Sequence, residues 1–379
     1  MIVKNQISEF LRERINANDF PSAVFLIAEK GKIILHEALG FAVVEPERIK
    51  AKIDTIYDLA SLTKPLVTGL LIANLMEDEK FQLDGRVAVY MPEFDIEGKR
   101  RITVLDLLTH VSHLPAWKPL YLTVADRSEA VHEIGRTLLD YEQDAVTYSD
   151  LNFIVLGGLI ERILDKPLDM AASDSIFNVL GLKNTFFNPP ATMKAIIAAS
   201  ETGNLFERQT CVELGLLPSS TADEKFGVPN AFRNEIIWGE VHDGNAYFMG
   251  GVAGHAGLFS TAEETFKIAQ QFLPNYTTLL KPKTCELFHT NFTEGLNEDR
   301  SFAFQLASTK DSTAGGKMSP QSFGHLGFTG TSLWIDPVRE RVFILLTNRT
   351  HNHDLPFVNI NSVRRKFHDL AIDFLDENS

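Results

Sequence analysis

Residues 57–80 read YDLASLTKPLVTGLLIANLMEDEK, and the apolar positions from Leu66 to Met76 keep helical spacing. A helix entered near Ser61 puts Ser61 and Lys64, three residues apart, on one face, so hydroxyl and amine can meet. The start of a helix also sets Ser61 beside free N–H groups and the positive end of the helix dipole. Serine needs a base to become a nucleophile, and a desolvated lysine can serve as one. Lowering that lysine's pKa by about three units costs about 4 kcal/mol, which a dry, charged groove would have to supply. A Ser-x-x-Lys pair also arises about once by chance in a chain this long, so a surface helix carrying both residues is the competing interpretation.

Outward from this stretch, residues 4–17 have the spacing of an amphipathic helix, with Ile7, Phe10, Leu11 and Ile15 on one stripe. Ser22–Ala28 and Lys32–Ala42 flank Glu29-Lys30-Gly31 as a hairpin. From residue 80 to about 240 the pattern is mostly helical, broken by loops such as Phe187–Ala191. The glycine cluster near Gly250 opens a further helix, Ala262–Phe272. Strands are predicted at Thr331–Ile335 and Val342–Thr347 around Asp336-Pro337, and a closing helix at Asn361–Leu375. Strands at both ends of a helical middle predict one sheet completed by both termini. The fold class expected is α+β (an α/β sandwich), an antiparallel β-sheet flanked by helices plus a mainly helical domain. Residues 1–75 and 241–379 would form the sheet domain and 76–240 the helical one, with a site in the groove between them.

The 379 residues are 44% hydrophobic and 23% charged, the balance of an ordinary soluble globular protein. Thirty-six Lys and Arg against fifty Asp and Glu give a net charge of −14, a field that repels nucleic-acid backbones. No apolar run approaches the ~20 residues that span a bilayer. Cys211 and Cys285 cannot build a disulfide framework or a thiolate zinc site. The N-terminal stretch lacks the apolar core and cleavage site of a signal peptide, so a cytoplasmic location is expected.

Two further constellations carry chemistry. Tyr148-Ser149-Asp150 precedes the apolar run LNFIVLGGLI; alone it suits a helix cap, although a phenol beside an ammonium can also shuttle a proton. Gly324-His325-Leu326-Gly327-Phe328-Thr329-Gly330-Thr331 leads into a strand. Glycines there admit a close substrate, and a main-chain N–H there would be half of an oxyanion hole, worth about 10²–10³ in rate. A plain glycine-rich turn is the alternative.

Together, and in this order, the three motifs resemble those of the serine β-lactamase and penicillin-binding-protein superfamily, closest to its class C β-lactamase, esterase and DD-peptidase branch. LDLLTHVSHLP (Leu105–Pro115) is similar to that family's LL-T-H-T-S-G-L-P segment, and Gly239–Glu264 to a stretch of its hydrolase members. The resemblance implies that Ser61 is the acylated nucleophile, Lys64 its proton acceptor, and Tyr148 the relay to the leaving group. It places Asp150, His325, Gly327 and Phe328 in substrate binding, with the Ser61 and Phe328 N–H groups as the oxyanion hole. Three departures stand out. Asp150 replaces the family's Asn and would raise the lysine's pKa. His325 replaces Lys and weakens attraction for a substrate carboxylate. His113 stands where the family has glycine.

The activity implied is hydrolysis of a small ester, or of a peptide or muropeptide amide, through an acyl-serine. A class C-like β-lactamase and a catalytically weak sensor or binding protein are the alternatives. No cofactor and no metal are expected, since the histidines His242 and His255 lack metal-site spacing. His351 and His353 are expected on a solvated loop, and Trp117 and Tyr121 at a cleft lip or in ordinary packing.

Overall fold

Ala23–Ala28 is an unbroken apolar run, the signature of a strand covered on both faces. It forms the middle of β1 (Ser22–Glu29), which turns at Lys30-Gly31 into β2 (Lys32–Val43). The remaining strands are β3 (Ile49–Lys50), β4 (Tyr57–Asp58), β5 (Phe186–Phe187), β6 (Leu258–Ser260), β7 (Gln305–Leu306), β8 (Phe323–Leu326), β9 (Ser332–Asp336) and β10 (Arg341–Thr347). The structure, a computed structural model, describes residues 2–141, 145–218 and 232–378.

Seven strands form one antiparallel sheet in the order β3-β2-β1-β10-β9-β8-β7. β1 pairs with β10 from Ala23↔Thr347 to Glu29↔Arg341, so the two ends of the chain meet at the centre of the sheet. The twofold alternation of β1 divides its side chains between two cores. Ala23, Phe25 and Ile27 join Trp334, Phe343 and Leu345 under two helices, α1 (Ile2–Asn16) and, from the far end of the chain, Asn361–Glu377. Val24, Leu26 and Ala28 face the larger core, which holds α2 (Leu70–Glu77), α3 (Asp150–Leu164) and α4 (Ala262–Ala269). Both faces being covered, a uniformly apolar strand is what the position requires.

Two features refine the expectation. Phe323–Leu326 is itself a strand, so the glycine-bearing turn shrinks to residues 327–331. Gly324 fits there because a Cβ would lie 2.2 Å from the Trp334 ring on β9. Residues 76–240 are also not wholly helical: β5 joins β4 and β6 in a second, three-stranded sheet. That small sheet carries Tyr57-Asp58, the residues that lead to Ser61. Among the described residues no helix is long and apolar enough to cross a membrane.

Candidate active site

Ser61 sits in a single 3-10 turn (Ala60–Leu62), followed by a π-helical stretch (Lys64–Gly69) that runs into α2. Ser61 and Lys64 thus lie on either side of the junction between the two, and Lys64 Nζ reaches Ser61 Oγ at 2.9 Å. The turn is bent: Ala60 adopts φ +48°, a left-handed conformation that costs a residue with a Cβ about 1 kcal/mol or more. It is held there from several sides. The buried Asp58 carboxylate accepts hydrogen bonds from Ala60 N–H (2.8 Å) and His242 N–H (2.7 Å), and Thr63 Oγ1 donates to the Ala60 carbonyl (2.7 Å).

The β8–β9 turn is fastened to the same segment. Thr329 Oγ1 donates to the Asp58 carbonyl (2.8 Å) and Thr331 Oγ1 to that of Leu59 (3.0 Å). A Cβ on Gly327 would stand 1.9 Å from Thr331 Oγ1 and 2.6 Å from the Leu59 carbonyl, so only glycine permits this approach. The consequence is that Ser61 and Phe328 share the wall of one cavity.

Lys64 is completely buried, and each of its three ammonium hydrogens has an acceptor. These are Ser61 Oγ at 2.9 Å, Asp150 Oδ1 at 2.7 Å and the His255 carbonyl at 3.2 Å. Burial pulls the ammonium's pKa down, but the charge of Asp150 and the Tyr148 phenol outweigh it and hold Lys64 above its ordinary 10.5. The Tyr148 ring lies 4.8 Å from Lys64 Nζ. Burial raises the Tyr148 phenol, partly offset by Lys64 and by a hydrogen bond with Ser61. Lys64 therefore rests as an ammonium paired with Asp150, beside a protonated Tyr148 phenol.

Ser149 and Asp150 do not act as a simple helix cap. The Ser149 side chain makes no capping bond and donates instead to the Pro115 carbonyl (2.6 Å), while Asp150 turns to Lys64. His255 is brought in by close backbone packing. A Cβ on Gly157 of α3 would meet Gly254 N at 3.0 Å, and Thr68 Oγ1 donates to the Gly254 carbonyl (2.7 Å).

His325 Nδ1 lies 2.9 Å from the Leu326 carbonyl, so that nitrogen carries the hydrogen and Nε2 the lone pair. Burial, with Lys64 and Arg300 nearby, holds its pKa well below 6.5. The imidazole is neutral, as the His-for-Lys departure implies.

Ser61, Tyr148, Asp150, His325, Gly327 and Phe328 all line one cavity of about 580 Å³, with Lys64 behind Ser61. Trp117 joins them, and residues that local spacing does not reveal complete it: Phe206, Glu207, Asp243, Arg300 and Arg349. Glu207, buried beside Asp243, is pushed up to about 7 while accepting from Tyr121 Oη (2.7 Å) and Gly244 N–H (2.7 Å). Asp243 is held well below the usual carboxylate range: burial opposes its charge, but His255, at 2.9 Å, and the Ala246 N–H prevail. Arg349 stacks over Phe328 at 4.8 Å and donates to the Phe328 carbonyl (2.7 Å), bracing the turn.

Trp117 lies at the cavity wall, whereas Tyr121 is buried against Glu207. His242 pairs with Glu201 at 2.8 Å. Among the described residues no group of three His, Cys, Asp or Glu side chains is gathered around a point that could hold a metal ion. His351 corrects its expectation of a solvated loop. It is buried, with Nδ1 bonded to the Ser200 carbonyl and Nε2 accepting from Val44 N–H, both at 2.9 Å. His113 takes φ +61°, a left-handed conformation that glycine adopts most readily, and it packs against Tyr141 at 4.9 Å.

Comparison with known proteins agrees with this geometry. The family model described as Beta-lactamase matches residues 7–364. The chain belongs to the beta-lactamase family. A similar relative in this family is a putative D-alanyl-D-alanine carboxypeptidase of Escherichia coli (strain K12), 32% identical over 92% of this chain and 82% of the relative. The fold is shared with a class C beta-lactamase from Rhodobacter sphaeroides (TM-score 0.73, 19% identity, 98% of this chain and 99% of that one). It is also shared with EstCE1, a hydrolase with promiscuous acyltransferase activity (TM-score 0.72, 18% identity, 97% and 98%). Family membership and the assembled site make the chain a serine hydrolase.

Proposed function

We propose that the protein cleaves small esters, or the amide bond of a peptide or cell-wall fragment, through an acyl-Ser61 intermediate. The observation that carries this reading is the buried Lys64 ammonium at 2.9 Å from Ser61 Oγ on the wall of the cavity. The peptidase name of the 32%-identical relative supports a peptide or cell-wall substrate. Ser61 Oγ attacks the carbonyl carbon while its proton passes to Lys64, which hands one of its own to Asp150 at 2.7 Å. The Ser61 and Phe328 N–H groups receive the oxyanion. Collapse breaks the bond to the leaving alcohol or amine, which takes a proton through Tyr148. Water then attacks the acyl carbon and releases the acid.

A β-lactam carries a carboxylate on the side where relatives place lysine, and here it meets a neutral imidazole. A charge-assisted hydrogen bond is roughly twice as strong as a neutral one, so its loss handicaps anionic substrates selectively. Wild type is expected to turn over p-nitrophenyl acetate more efficiently than nitrocefin, and His325→Lys to narrow the gap. Equal or better hydrolysis of nitrocefin by wild type would remove position 325 as the cause.

Asp150→Asn tests the proton path. Burial is the largest single influence on Lys64 and disfavours the ammonium, and without the carboxylate it loses its strongest counterweight. The lysine then loses its proton at a lower pH. The variant's kcat/KM is expected to climb with pH through an inflection at lower pH than in wild type. Identical profiles in the two enzymes would break the link between Asp150 and Lys64 protonation.

A further inference from the structure

The segment Leu105–Pro115 has no part in the chemistry described so far, yet Tyr148 is suspended from it. The Thr147 N–H donates to the His110 carbonyl (3.0 Å) and the Ser149 N–H donates to His110 Nδ1 (3.0 Å). The residues on either side of Tyr148 are thus fixed by one residue, Thr147 by its main chain and Ser149 by its ring. The same ring packs against the Tyr148 ring, with centroids 4.7 Å apart. Two more bonds extend the template, Ser149 Oγ to the Pro115 carbonyl (2.6 Å) and Asp150 N–H to the Ala116 carbonyl (2.9 Å).

His110 is built for this purpose. It is buried and takes φ +62°, a conformation that aims ring and carbonyl at the same loop. Because Nδ1 accepts a main-chain hydrogen, the ring is the neutral tautomer with its hydrogen on Nε2. Asn152 Nδ2 lies 3.2 Å from the same Nδ1, and Ser112 Oγ donates to Asn152 Oδ1 (2.6 Å), so the ring's orientation is itself supported.

We infer that His110 is a positioning residue that sets Tyr148 for proton transfer, acting through the acceptor at Nδ1. The inference rests on the assignment of Tyr148 to the reaction. A displacement of about 1 Å in such a group costs up to about 10²-fold in rate. His110→Gly tolerates φ +62° and removes the acceptor, and His110→Phe keeps a ring without one. Both are expected to lower kcat by about 10–10²-fold with KM unchanged. His110→Asn, whose Oδ1 occupies the place of Nδ1 and which also accepts a left-handed φ, should restore most of the rate. Added imidazole should partly rescue His110→Gly.

The same substitutions in a Tyr148→Phe background separate the two claims, because a residue acting through Tyr148 has nothing further to lose there. Wild-type kcat in both His110→Gly and His110→Phe would overturn the inference. So would an equally slow His110→Asn, or an undiminished His110 effect in the Tyr148→Phe background. If Tyr148→Phe alone turns over at the wild-type rate, the assignment of Tyr148 fails first, and with it any role for His110 in positioning it.

Discussion

Ser61→Ala abolishes turnover, by a factor on the order of 10⁴–10⁶, the range seen when the nucleophile of such a catalytic unit is removed. The fold stands. Ser61 is partly exposed to the cavity, and the change removes one hydroxyl with its hydrogen bonds to Lys64 and Tyr148. Such a bond contributes about 1 kcal/mol, or about 2 °C in melting temperature for a chain of this size. A fluorophosphonate probe labels wild type and not the variant, and peptide mapping by mass spectrometry finds the adduct on Ser61. An adduct on another serine, or turnover in the variant, would dismiss the nucleophile assignment and the acyl-enzyme route with it.

Tyr148→Phe slows turnover by about 10²–10⁴-fold, the usual contribution of a positioned acid–base group. Binding is expected to hold, because the ring that packs against Lys64, His110 and His325 is kept. The hydroxyl is what departs, and with it the path from the Lys64 ammonium to the leaving group. The loss should be larger for amides, whose leaving amine needs a proton, than for p-nitrophenyl esters, whose leaving phenolate does not. Parallel kcat measurements on an ester and an anilide of the same acid decide it. Equal losses on the two substrates would assign Tyr148 to a step before leaving-group departure.

Much of this site is legible along the chain because its chemistry is local there. Ser61 and Lys64 are three residues apart, and the apolar periodicity after them is enough to call a helix. His325 and Gly327 lie at a strand end for reasons that glycine spacing announces. Asp150 is different: its residue type is visible, but only the entry angle of α3, set by bonds from Ser149 and Asp150 to Pro115 and Ala116, turns it toward Lys64. Glu207, Asp243, Arg300 and Arg349 carry no local pattern and reach the cavity through long-range packing. His351 looks like a polar loop residue until the turn after β2 and the Ser200 carbonyl close around it. The strand β8 is hidden because its glycine answers to the Trp334 ring, a contact that local propensity does not encode.

The pairing of Ala23 with Thr347 also sets a timetable. A ribosome adds about 5–20 residues per second, so β1 emerges on the order of tens of seconds before the strand that will cover its open edge. Through that interval the nascent β1–β2 hairpin offers one unpaired edge and two apolar faces, a template for pairing with other chains. The site too waits for the end of the chain in part, because His325 lies on β8, which is held in the sheet through β9 and β10. Synthesis of this protein is thus a period of dependence on whatever shields an exposed strand, and catalytic competence arrives only at its end.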